Sequence, residues 1–263
     1  MAFRTRAFGL TDVGRARQEN EDNFILVPSE GLYVVADGMG GHASGKLAST
    51  LAVTFITQFV AVERKRPDFQ WPFPIDHSRT NEENLLSAAI KHANERIYIQ
   101  SCKAREHEGM GTTVVSILDG EASSLTLGHA GDSRIYRFRN NTLAQITVDH
   151  SLVNHLLATK KITPAEAENF PNKNVIFRAL GLKDYVDVDT QVVPKRDGDL
   201  YLLCSDGLTD MVDDWILAEI LQTAHADLKT AAQTLIRLAN HNGGNDNITV
   251  LLLAVDEVTN AEW

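Results

Sequence analysis

Short strand-like runs that stop at a carboxylate recur along the whole chain. Leu32–Ala36 runs into Asp37-Gly38, Leu125–Ala130 into Gly131-Asp132-Ser133-Arg134, and Leu200–Cys204 into Ser205-Asp206-Gly207. Asn20-Glu21-Asp22 precedes Phe24–Val27, and Gly243-Gly244-Asn245-Asp246-Asn247 precedes Ile248–Val255. Asp119-Gly120 falls between Thr113–Leu118 and Ser124–Leu127, and Arg139-Asn140-Asn141 between Arg134–Phe138 and Leu143–Thr147; both read as hairpins. Links this short join antiparallel neighbours, because a parallel pair needs a crossover of a dozen or more residues.

Helical periodicity is confined to a few segments. Leu47–Val60 places Leu47, Leu51, Phe55 and Phe59 on one face, and Leu85–Ile99 does so with Leu86, Ala89, Ile90, Ala93 and Ile97. Trp215–Leu221 and Leu228–Leu238 form a late pair. Hairpin-linked strands with segregated helices predict an α+β fold, not a doubly wound parallel sheet. Two stretches are irregular. Residues 62–84, with Arg64-Lys65-Arg66-Pro67 and Trp71-Pro72-Phe73-Pro74, read as a surface excursion between the two long helices. Residues 149–180 hold a short helix at Leu152–Thr159 and a helix start at Thr163-Pro164-Ala165-Glu166. At 263 residues the expectation is a single domain spanning 1–263.

Charge narrows the partners. Thirty-five acids against 25 Lys and Arg give a formal net charge of −10, so no overall basic footprint for nucleic acid is present. No apolar run approaches the roughly 18 residues of a membrane helix, and Ile248–Val255 reads as a buried strand. Met1–Arg6 leads into no apolar segment of a secretory leader, and Ala2 excludes a myristoylation signal. Cys102 and Cys204 suggest neither a disulfide framework nor a zinc pattern and are expected to be core thiols. Together these predict a cytoplasmic chain with no membrane and no nucleic-acid partner.

The chemistry lies in the strand ends. Any single Asp-Gly is most simply a turn. Carboxylates that converge, however, repel one another and need compensating charge. No matching Lys or Arg cluster accompanies Glu21, Asp22, Asp37, Asp132, Asp206 and Asp246, so divalent cations are the natural compensation. Oxygen-only ligands point to Mg²⁺ or Mn²⁺, and no His/Cys set has zinc spacing. Two bridged ions would activate a water and clamp a phosphoryl or acyl oxygen. Arg17, just upstream of Asn20-Glu21-Asp22, favours phosphate because its planar fork suits a bidentate contact; a plain ion pair is the alternative use of such a residue.

Other phosphate chemistries fit less well. A cysteine phosphatase needs Arg six positions after its Cys, where this chain has Glu108 and Asp210. Asp187-Val188-Asp189-Thr190-Gln191 misplaces the Thr of an aspartyl-phosphate motif. Gly40-Gly41-His42-Ala43-Ser44-Gly45-Lys46-Leu47 imitates a P-loop until Leu47, where a hydroxyl should bind Mg²⁺. A P-loop NTPase would also need a parallel sheet and would leave Arg17, Glu21, Asp132 and Asp246 without a role.

In order along the chain, Arg17-Gln18-Glu19-Asn20-Glu21-Asp22, Val35-Ala36-Asp37-Gly38-Met39-Gly40-Gly41-His42, Gly109-Met110-Gly111-Thr112-Thr113, Gly131-Asp132-Ser133-Arg134, Ser205-Asp206-Gly207-Leu208 and Gly243-Gly244-Asn245-Asp246-Asn247-Ile248-Thr249 resemble the metal-dependent serine/threonine phosphatases of the 2C type, in their bacterial form. The resemblance runs from about Thr11 to Val255. It implies a four-layer α-β-β-α sandwich of two antiparallel sheets flanked by helices, with residues 149–180 as a flap beside the site. It implies that Asp37 bridges two Mn²⁺ or Mg²⁺ ions, that Glu21 and the Gly38 carbonyl complete one, and that Asp206 and Asp246 complete the other. Asp22 would orient metal-bound water, Arg17 would grip phosphate, and Asp132 would help hold a third, weaker ion. Animal members carry Asp-Gly-His with that His as proposed acid; here Met39 follows Gly38, so His42, metal-bound water and His155 all stay open as proton donors. The implied activity is hydrolysis of phosphoserine and phosphothreonine in proteins by metal-activated water, with no phospho-enzyme intermediate. A serine/threonine kinase or its targets would be the substrate and the chain a monomer. A non-catalytic phosphoprotein-binding relative is the alternative.

Overall fold

The computed structural model describes residues 2–40, 44–66, 71–120, 123–168, 170 and 175–258. The chain forms β1 (Ala2–Asp12), β2 (Asn23–Val27), β3 (Leu32–Ala36), β4 (Gly38–Met39), α1 (Ser44–Glu63), α2 (Asn81–Ser101), β5 (Gly111–Thr112), β6 (Val114–Leu118), β7 (Ser124–Ala130), β8 (Arg134–Arg139), β9 (Thr142–Gln145), α3 (Leu152–Ala158), α4 (Pro164–Glu168), β10 (Asp189–Pro194), β11 (Leu200–Cys204), α5 (Asp206–Thr209), α6 (Asp214–Ala224), α7 (Leu228–His241) and β12 (Ile248–Val258). One sheet has the order β1-β12-β11-β8-β9 and a second the order β10-β7-β6-β3-β2, while β4 and β5 pair apart. Among the described residues every ladder is antiparallel. The P-loop alternative fails on that point, since its strand order requires parallel neighbours.

Strand periodicity builds three apolar layers. In β3, Leu32, Val34 and Ala36 face α1 and α2, together with Val114 and Leu118 of β6. The alternate residues Tyr33 and Val35 face the other sheet, where they meet Ile135, Tyr201, Leu203, Leu251 and Leu253. On the far side, Leu202, Val250 and Leu252 pack under α6 and α7 through Leu217, Leu221, Leu235 and Ile236. The central strands are therefore buried on both faces, which is why they read as continuous apolar runs. The layer order is helix, sheet, sheet, helix, as the resemblance implied.

Turn chemistry fixes the local geometry. Asn140 and Asn141 both have positive φ, 52° and 57°, as a two-residue hairpin turn requires between β8 and β9. Thr80 accepts from the Glu83 amide while the Glu83 carboxylate accepts from the Thr80 amide, capping α2.

Three expectations change. The first strand, β1, is paired along its whole length with β12, although the sequence reading placed no element there. Among the described residues α1 is long and apolar enough to cross a membrane by length and composition, contrary to the reading of the apolar runs; in the fold its apolar face packs on α2 and β3. Cys204 is a core thiol, but Cys102 caps α2 and is exposed. In the 62–84 excursion, Trp71 and Phe73 pack against the α1/α2 core, and Arg64 donates to the carbonyls of Glu30 and Asp119. The described part of that stretch is anchored to the scaffold.

Candidate active site

The carboxylates sit at one end of the sandwich because antiparallel strands deliver their termini there alternately. Asp37 follows β3, Asp132 follows β7 and Asp206 follows β11, whereas Glu21 and Asp22 precede β2 and Asp246 precedes β12. A cavity of about 240 Å³ is lined by Arg17, Glu21, Asp37, Gly38, Met39, Gly40, Thr113, Asp132, Ile176, Asp206 and Asp246. Seven of the residues singled out from the sequence thus face one space. Asp22 is buried beside it, 7% exposed. His42 lies outside the described residues.

The acids crowd one another. Burial and then its neighbours Asp22, Asp206, Asp132 and Asp246 hold the Asp37 carboxyl well above its ordinary range. Burial, reinforced by Asp132, Asp210 and Asp246, pushes Asp206 up to about 8. Asp132 is raised to about 6 by burial and by Asp149, and Asp22 to about 6 by burial, against the hydroxyls that favour its charge. Glu21 is also raised by burial, against the opposing amide of Gly45.

Several side chains that the sequence reading gave no role fix the acids in place. Asp22 Oδ2 accepts from Ser205 Oγ and Thr249 Oγ1, each at 2.7 Å, whereas its buried Oδ1 receives no hydrogen bond among the described residues. Asn247 accepts from the Glu21 amide at 2.8 Å and donates to the carbonyls of Val13 and Glu19, closing the loop that carries Arg17. Glu21 Oε1 accepts from the Gly45 amide at the start of α1, 3.2 Å away. Gly38 and Gly45 permit that approach: a Cβ on Gly45 would come within 2.5 Å of Glu21 Oε1, and one on Gly38 within 2.6 Å of the Glu21 carbonyl oxygen.

Arg17 Nη2 donates to Asp246 Oδ2 at 2.7 Å, with 51% of its side chain exposed at the mouth of the cavity. In this structure it makes the ion pair that was the alternative to phosphate binding. The 149–180 stretch contributes Ile176 to the cavity wall. Its two limbs are tied by Leu152 N–H to the Val175 carbonyl and Phe177 N–H to the His150 carbonyl. His155 packs edge-on against Phe177, 5.6 Å between ring centres, and is not among the cavity-lining residues.

A family model described as protein phosphatase 2C matches residues 14–249. The chain belongs to the protein phosphatase 2C family. It is 40% identical over 250 residues to the serine/threonine phosphatase Stp of Listeria monocytogenes, covering 94% of each chain. Its fold is similar to the crystal structure of the Mycobacterium tuberculosis serine/threonine phosphatase PstP, with a TM-score of 0.83, 35% identity, and coverage of 98% of this chain and 100% of that one. A structure of the PstP catalytic domain in complex with two manganese ions matches with a TM-score of 0.80 and 34% identity over 97% of this chain and 100% of that one.

The donor set of this 2C-family chain fits such cations. Its carboxylates are oxygen-only, mutually repelling and partly open to the cavity, and a buried Asp22 oxygen beside them receives no hydrogen bond among the described residues. Divalent cations relieve that repulsion and suit all-oxygen coordination. When bound, they supply positive charge to phosphoryl oxygens and acidify water.

Proposed function

We propose that the chain is a phosphoric monoester hydrolase that removes phosphate from phosphoserine and phosphothreonine in proteins. The convergence of Glu21, Asp37, Asp132, Asp206 and Asp246 on one cavity, with Arg17 at its mouth, carries this reading. In it, Glu21, Asp37, the Gly38 carbonyl, Asp206 and Asp246 would hold two Mn²⁺ or Mg²⁺ ions, and Asp132 would help hold a third, weaker one. Asp22, held by Ser205 and Thr249, orients water near the pair. Arg17 turns from Asp246 to a phosphate oxygen, exchanging one charge-assisted hydrogen bond for another. The Ile176 wall borders the side chain that carries the phosphate.

This reading takes residues 1–263 as one phosphatase domain with residues 149–180 as its flap, working as a cytoplasmic monomer. Its partners are a serine/threonine kinase or that kinase's targets. The test is hydrolysis of a phosphothreonine peptide, with and without Mn²⁺, by the wild type and by Asp37→Ala. Metal-dependent release of phosphate that Asp37→Ala abolishes is expected. Full activity after exhaustive chelation would overturn the reading. Binding of the peptide without turnover at any metal concentration would favour a non-catalytic binding protein.

A further inference from the structure

His150 grips the residue in front of Asp132 at two points. Its backbone N–H donates to the Gly131 carbonyl at 2.9 Å, and its ring Nδ1 lies 3.0 Å from the Gly131 amide. An amide can only donate, so Nδ1 is the acceptor, and the neutral ring carries its hydrogen on Nε2. That Nε2 lies 3.1 Å from Asp189 Oδ2 and donates to it. Arg178 Nη1, 3.0 Å from the same nitrogen, donates to Asp189 Oδ1 at 2.6 Å. His129 Nε2 donates to the Val148 carbonyl at 3.1 Å, and its ring stacks on His150 with 4.6 Å between centres and planes 12° apart. Both rings are buried.

His129, His150 and Asp189 bring ligand-type atoms within 4.8 Å of one another, the spacing of a cation site. The hydrogen bonding speaks for a different use. The Nδ1 lone pair of His150 is taken by Gly131, its Nε2 bears the hydrogen, and Asp189 already has a cation in Arg178.

Gly131 is a position that must be held. Its φ is +119°, and a Cβ there would come within 2.6 Å of Thr113 Cβ. Its amide is buried, and a buried amide left without a partner is costly. The ring of His150 therefore helps hold this glycine turn in register, and the next side chain along is Asp132.

We infer that His150 is a positioning residue: its Nδ1, fixed as an acceptor by the Nε2 contact to Asp189, holds the Gly131 turn so that Asp132 points into the cavity. The inference rests on Asp132 being an outer metal ligand. It connects the first residues of the flap to the weak ion, so flap and ion site are built on one side chain.

The test compares His150→Asn, His150→Gln, His150→Ala and Asp132→Ala with the wild type in the full chain. Asn places Oδ1 where Nδ1 was; Gln reaches toward Asp189 and offers Gly131 no acceptor in that place. Free Mn²⁺ is counted by electron paramagnetic resonance during titration, alongside phosphopeptide turnover and thermal unfolding. The expected result is a weak Mn²⁺ step shifted by about fivefold in the Ala and Gln variants, the weight of one buried hydrogen bond, and restored by Asn, with the tight sites intact in all three. If Asp132→Ala keeps the weak step, the ligand assignment of Asp132 falls and takes the inference with it. If Asp132→Ala loses that step while His150→Ala keeps it, or if Gln rescues and Asn does not, the inference alone is wrong.

Discussion

Thr113 and Asp37 exchange two hydrogen bonds: the Thr113 amide donates to the Asp37 carbonyl at 2.8 Å, and the Asp37 amide donates to Thr113 Oγ1 at 3.1 Å. Thr113 Oγ1 also lies 2.7 Å from Ser133 Oγ, on the turn that carries Asp132. One buried hydroxyl thus joins the strand end of the central carboxylate to that of the outer one.

Replacing Thr113 by Val keeps the shape and removes that hydroxyl. It leaves the Asp37 amide and the Ser133 hydroxyl short of a partner inside the protein. The expected cost is about 1–3 kcal/mol of stability, with a fall in turnover, and Thr113→Ser is expected to recover most of both. Urea denaturation paired with phosphopeptide kinetics checks this. A Val variant that is as stable and as active as the wild type would remove Thr113 from the positioning of Asp37.

The Arg17–Asp246 pair predicts a different separation. Its partners are 51% and 38% exposed, and exposed pairs contribute about 0–1 kcal/mol. Arg17→Ala is therefore expected to unfold within about 1 kcal/mol of the wild type. Its KM for a phosphopeptide is expected to rise about tenfold or more, since a charge-assisted contact to phosphate is worth roughly 1.5–3 kcal/mol. Arg17→Lys recovers only part of the loss because it cannot make the planar fork. An unchanged kcat/KM in Arg17→Ala would take Arg17 out of the phosphate site.

How far all this was legible depends on the range of each interaction. Asn140-Asn141 declared its hairpin because two adjacent positive φ angles demand such residues. The carboxylates were visible because each borders an apolar strand, Asp37, Asp132 and Asp206 just after one and Glu21, Asp22 and Asp246 just before one, a pattern local in sequence. Thr113, Ser205, Asn247 and Thr249 stood inside quoted motifs without a role, since what they bind lies far off: Thr113 reaches back 76 residues and Thr249 reaches 227. The β1 strand escaped notice because its alternation is broken by Gly9 and its outward residues include Arg4 and Arg6. What defines it is the ladder to β12 at the other end of the chain.

Proton linkage gives a prediction with a definite sign. Asp206 is raised to about 8, Asp22 and Asp132 to about 6, and Asp37 well above its ordinary value. Each is raised relative to the unfolded chain. Their contribution to stability is full below about pH 4 and is lost as pH rises through about 6 and then about 8. Cation binding demands the ionised forms, so it must displace protons in that window. Mn²⁺ titration by calorimetry at pH 6.5, in buffers of different ionisation enthalpy, is expected to show net proton release that shrinks by pH 9. Buffer-independent heats at pH 6.5 would mean that the acids are already ionised.

Asp22 sets stability against function most directly. Its Oδ2 accepts from Ser205 and Thr249, so Asp22→Ala strands two buried hydroxyls, at about 1–3 kcal/mol for each unsatisfied group. Asp22→Asn keeps one oxygen for both hydroxyls and removes the negative charge that stands first among the neighbours raising Asp37. At pH 8, where the charge is present in the wild type, the metal-free Asn variant is expected to match or exceed the wild type in stability, and Ala to fall below it. Turnover should drop in both, because the charge that would orient water is gone from each. Urea denaturation at pH 8 and pH 5 checks the ordering, and the advantage of Asn should shrink at pH 5, below about 6, where Asp22 is itself protonated. An Asn variant less stable than Ala at pH 8 would show that the Asp22 charge supports the fold instead of straining it.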